Sequence, residues 1–209
     1  MLKTTSRLFR LRSSTTLKPT TPHITRSFAS TSLRQAASPK MNAFKKAGHR
    51  KEDSPPKHEM VHFPGLMSEK RSFGDFRTVL HTGLYSQIVA MEVPVGGEIG
   101  DEVHTVDQIL LFTSGKGLAT VAGKNQEVNA GDVVVVPAGT QHQFVTRGDQ
   151  PLELITVYSP AEHLPTSVHK TKEEGDKAED DEIDEAPEWA LKPKAENEKT
   201  GLVKESGKY

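Results

Sequence analysis

Four residues in two short stretches carry most of the chemistry this chain can offer. The first runs from Gly96 to Gln108 and contains Glu102, His104 and Gln108; the second runs from Gly131 to His142 and ends on an imidazole. Side chains alternate faces along an extended strand, so Glu102 and His104 point the same way, and Gln108 joins them if the chain stays in phase. His142 must arrive from a partner strand. Together these residues offer one carboxylate, two imidazoles and an amide oxygen, a donor set suited to one mononuclear metal site. Glu102, His104 and His142 alone form the two-histidine, one-carboxylate set that suits non-haem iron and leaves positions open for substrate or dioxygen. Gln108 either adds a neutral oxygen ligand or acts on a metal-bound water. With no sulfur donor, Mn(II), Fe(II), Ni(II) and Zn(II) all suit the site.

The elements that must position these groups are short strands. Leu84–Val93 reads as a strand ended by Pro94 and Gly96. Segments 108–113, 117–121, 126–128, 133–136, 142–146 and 152–158 follow, separated by Gly, Asn, Asp and Pro turn signals. That rhythm predicts an all-β sandwich or closed barrel. Leu110, Phe112 and Phe144 share the inward phase of Gln108 and His142 and are expected to fill the core or line the cavity. Tyr85 and Gln87 lie on a strand with access to that cavity. Asp107 faces the other way and is expected in a turn or at the surface.

The two stretches resemble the paired motifs of the cupin superfamily, G-x5-H-x-H-x3,4-E-x6-G and G-x5-P-x-G-x2-H-x3-N. Gly96, Glu102, His104, Gln108 and Gly115 stand in register with the first, and Gly131, Pro137, Gly139, His142 and Thr146 with the second. Glu102 replaces the first His and Gln108 the Glu. The resemblance implies a double-stranded β-helix, the RmlC-like jelly-roll barrel, with one divalent metal held by Glu102, His104, Gln108 and His142. Across roughly 76–172 the chain is similar to small single-domain cupins labelled mannose-6-phosphate isomerase-like, a label that reflects the barrel more than an activity. The functions implied are a metal-dependent oxygenase or isomerase acting on a small polar molecule, or a non-catalytic module that binds a metal or small ligand. A metal-free epimerase-type cupin would need a His and Tyr acid/base pair, for which Tyr85 and Tyr158 are the candidates.

The remainder of the chain frames that domain. Residues 1–40 are rich in Arg, Lys, Ser and Thr, no Asp or Glu precedes Glu52, and Arg26-Ser27-Phe28 resembles a processing site, the profile of a mitochondrial transit peptide. The expected location is the mitochondrial matrix, with a cytosolic form if Met41 starts translation. Residues 41–61 read as a linker, 62–172 as the cupin domain with disordered extensions on both sides, and 173–209 as an acidic, disordered tail containing the sole tryptophan, Trp189. His163, His169 and Trp189 have no role assigned by pattern. The absence of cysteine excludes disulfides, thiolate zinc sites and iron–sulfur clusters. A basic front and acidic back argue against nucleic acid, and no apolar run is long enough to span a bilayer. The expected partners are a small-molecule ligand or substrate and, as a homodimer, a second copy of the chain.

Overall fold

Among the described residues ten antiparallel strands form two facing sheets, with the residues predicted to turn inward trapped between them. The computed structural model describes residues 54–68 and 72–204. The expected presequence, and most of the expected linker, lie outside the described residues.

The larger sheet has six strands in the order β10-β1-β2-β9-β4-β7. These are β1 (Arg77–Thr82), β2 (Gln87–Val93), β4 (Asp107–Ser114), β7 (Val133–Val136), β9 (Leu152–Ser159) and β10 (Val168–His169). The smaller sheet, ordered β3-β8-β5-β6, comprises β3 (Glu98–Glu102), β5 (Lys116–Val121), β6 (Lys124–Asn129) and β8 (His142–Arg147). This is the antiparallel jelly-roll architecture expected of a double-stranded β-helix.

Strand β4 shows how alternation positions the site. Gln108, Leu110 and Phe112 are fully buried, whereas Ile109 and Leu111 face the other side. Leu110, Phe112 and Phe144 join Met91, Leu152, Leu154 and Tyr158 in the central cluster, so core filling is their role. Each such side chain contributes about 1.5–3 kcal/mol relative to an exposed position. Leu111 instead packs on the outer face of the six-stranded sheet with Phe73, Ala90 and Ile155.

Gly115 marks where the chain turns from β4 into β5. Its φ of +76° and a Cβ that would fall 2.2 Å from the Pro151 carbonyl oxygen leave no room for another residue. Strand β1, absent from the sequence reading, pairs with β2 and β10.

The expectation of a disordered tail after residue 172 is corrected. Helix α1 (Lys172–Asp180) is capped by Thr171, a 3-10 turn spans Glu188–Ala190, and helix α2 covers Lys194–Lys199. Trp189 packs with Ala161, Ala190, Leu84 and Ala186, and Asn197 is fully buried beside the Tyr85 hydroxyl. The segment is ordered because a few of its residues meet partners far away in sequence. Chief among them is Asp184, whose side chain is 1% exposed and bonded to the barrel's Arg77 at 3.2 Å. Among the described residues no helix is long and apolar enough to cross a membrane.

Candidate metal centre

Glu102 and His142 face each other across the β3–β8 pair. The register slips between Ile99 and Glu102, and Gly100 sits in that irregularity with φ of +67°. A Cβ there would lie 2.9 Å from the His142 carbonyl oxygen and 3.0 Å from Glu102 Cγ. A glycine at this position therefore lets the carboxylate swing toward His142. The chain leaves the strand after Glu102, but the His104 carbonyl accepts the Gly139 N–H at 2.8 Å, tying the first histidine to the Pro137–Gly139 turn. Asp107 accepts the Ala138 N–H at 2.9 Å. Its carboxylate thus pins the same turn from outside, consistent with the turn role expected of it.

Ligand atoms of Glu102, His104 and His142 all lie within 4.8 Å of one another. Glu102 Oε1 is 3.1 Å from His104 Nε2 and 3.5 Å from His142 Nε2. His142 Nδ1 donates to the Thr140 carbonyl at 2.9 Å, so in the neutral ring Nε2 carries the free lone pair. That nitrogen is buried with no hydrogen-bond partner. A lone pair aimed at a carboxylate oxygen calls for a cation between them, and the O/N donor set fits a divalent metal.

Sequence reasoning missed Glu162. Its carboxylate is 3.0 Å from His104 Nδ1, the outer hydrogen bond that orients a metal-binding imidazole and fixes its tautomer. Glu162 follows β9, far from either motif, and no local pattern points to it. Burial alone would lower the His104 pKa, but hydrogen bonds and charge from Glu102 and Glu162 raise it to about 9. Burial pushes the Glu102 carboxyl up, yet the close His104 and His142 rings outweigh this and hold it well below the usual carboxylate range.

Gln108 is fully buried, its Nε2 donates to the Tyr158 hydroxyl at 3.0 Å, and its Oε1 has no partner. It thus keeps a carbonyl oxygen free. Tyr158 lies edge-on to both His104 and His163, with burial pushing its phenol pKa upward. A phenol so buried holds its proton and suits a positioning role better than that of a base. Tyr85 is at the surface, and Gln87, instead of lining the cavity, is spent on Thr82 and the backbone of His163. Thr146 donates to the Val93 carbonyl inside the barrel.

His163 lies in a second group with Glu179 and Asp184. Here the cation is already a side chain: Arg77 bonds Glu179 and lies 3.2 Å from Asp184 and 3.1 Å from His163. This cluster fastens the C-terminal segment to the barrel. His169 Nδ1 sits at its margin, 3.9 Å from Asp184.

Residues 89–158 match the family described as Cupin domain. The crystal structure of BH2720 from Bacillus halodurans is 31% identical and superposes with a TM-score of 0.54, covering 60% of this chain and 98% of its own. The chain belongs to the cupin superfamily. YrkC, an uncharacterized protein of Bacillus subtilis, is 37% identical over 112 residues, 50% of this cupin and 60% of YrkC. MJ1618 of Methanocaldococcus jannaschii, also uncharacterized, is 30% identical over 98 residues, 44% of this chain and 78% of its own. The cupin thus spans about 60% of the length of YrkC.

Proposed function

We propose that this cupin holds one divalent metal through Glu102, His104 and His142, with Gln108 as fourth ligand or as a positioning group, and acts on a small polar molecule. The observation that carries the reading is the buried, unpartnered Nε2 of His142 facing the Glu102 carboxylate. When bound, the metal would supply Lewis acidity or, as iron, redox chemistry. The protein's own residues do the rest. Glu162 orients His104, the Thr140 carbonyl orients His142, and Glu102 supplies the anionic ligand. Val103, Val106 and Ala161 form apolar parts of the adjoining cavity wall.

The reaction class is read from metal dependence. With Fe(II) loaded, an oxygenase consumes dioxygen on addition of its metabolite, and Glu102→Gln abolishes uptake by removing the anionic ligand. Turnover under Mn(II) or Zn(II) without oxygen uptake assigns an isomerase instead. Saturable ligand binding with no turnover under any metal assigns a binding module.

The acid-free, Arg- and Ser-rich front supports delivery to the mitochondrial matrix. Terminal sequencing of protein from mitochondria is expected to find a mature N-terminus near Phe28–Ser30, and an intact Met1 or Met41 in cytosol alone would refute import. Val133 and Val135, exposed on edge strand β7, support pairing of two copies along that edge.

A further inference from the structure

A cavity of about 430 Å³ opens beside Glu102 and His104. The barrel mouth forms one wall and the C-terminal segment, through Glu179, Asp184, Glu185, Ala186 and Leu191, forms the other. Its charge is one-sided. Glu102, Glu162, Glu179, Asp184 and Glu185 line it, and no lysine or arginine does.

The nearest cations are already committed. Arg77 is 5% exposed and held by Glu179 and Asp184, and Lys172 is tied to Asp176 at 2.5 Å. Even with Arg77 and either a divalent ion or, without one, a protonated His104 counted in full, carboxylates remain in excess. Sites for carboxylates and phosphates are built with arginine or lysine forks, and such a ligand here would meet like charge in a partly enclosed space. An ammonium group would meet opposite charge there instead, with Glu185 exposed on the C-terminal wall. Behind the Glu102 wall the buried His142 keeps its Nε2 unpartnered, 3.5 Å from the Glu102 oxygen, so the acidic lining adjoins a built polar site.

We propose that the cavity takes small polar ligands bearing an ammonium or amidinium group and rejects carboxylates and phosphates, with the C-terminal segment supplying much of that selectivity. The proposal rests on the reading that the small ligand binds beside the metal centre.

Glucamine and gluconate test it, being polyols of equal carbon number that end in an ammonium and a carboxylate respectively. In calorimetric titrations of the full chain at low salt, glucamine is expected to bind at least about tenfold more tightly, a gap that narrows as salt screens the carboxylates. Glu185 is exposed and outside the metal centre. Glu185→Lys is expected to shrink the preference by about fivefold, and Glu185→Gln by less. Equal or tighter binding of gluconate, or saturation by neither probe, overturns the proposal. A preference indifferent to both Glu185 variants overturns the part assigned to the segment. Metal content measured on the same sample judges the metal reading separately: metal retained without glucamine preference leaves that reading standing, and preference without metal does the reverse.

Discussion

Replacing His142 with alanine is expected to leave the purified protein essentially free of divalent metal while the sheets stay folded. His142 contributes the one ring nitrogen in the cluster that is buried without a partner, so its loss removes a ligand that nothing nearby replaces. His104→Ala is expected to do the same. Gln108→Ala and Glu162→Ala are milder, because a neutral amide adds less Coulombic attraction than an anion and an outer hydrogen bond typically costs about 10–100-fold in metal affinity. Elemental analysis and competition with a chelator measure all four, with circular dichroism as the folding control. Equal metal content in the wild type and both histidine variants would remove the basis for a metal centre.

The second large effect concerns Asp184. Its carboxylate accepts from Arg77, Ser167 and the Leu164 N–H and lies 3.1 Å from His163 Nδ1. Asp184→Asn leaves Arg77 with Glu179 as its remaining carboxylate, and breaking a buried pair of this kind costs about 3 kcal/mol. Urea denaturation followed by circular dichroism reads the loss, and a change within experimental error would show the cluster to be dispensable.

The pH dependence has a definite sign. Burial raises the Asp184 carboxyl, but contacts with His163, Ser167 and Arg77 outweigh it and hold the pKa below 3.8. Its contribution is present above that value and is lost as pH falls through the depressed one. Burial also lowers His163 from 6.5, so the folded chain resists its protonation and stability begins to fall below about pH 6.5. In metal-free protein His104 works oppositely: its contribution is complete below 6.5 and lost as pH rises through about 9. The Asp184→Asn variant is expected to show a shallower acid limb with the alkaline limb unchanged.

The barrel was legible because its strands obey a period of two and end in residues that can only turn. Gln108, Leu110 and Phe112 share the inward face that alternation assigns them, and 133–136 is a strand with the bounds read from its valines. Glu102, His104 and His142 are brought together as their spacing requires, although His104 has already left the strand when it gets there. Strand β1 was not legible. Its Arg77 looks like a surface residue until Glu179 and Asp184, about a hundred positions later, give it partners that allow burial. A separation of 58 positions from His104 hid Glu162, and partners far off in sequence made 173–209 read as a solvated tail. Composition averages over residues, whereas that segment is held by Asp184, Trp189 and Asn197 individually.

Trp189 is the chain's sole tryptophan, and it sits in the segment that walls the cavity. Intrinsic indole emission from the whole protein therefore originates at one place, 9% exposed and packed against Ala161, Leu84 and Ala186. Far-ultraviolet dichroism, by contrast, reports the backbone of the whole chain, the strands of both sheets included. One signal watches a single place and the other the whole fold. If the segment peels from the barrel before the sheets melt, a red shift in emission precedes the dichroic transition; if the two are one cooperative unit, the curves coincide.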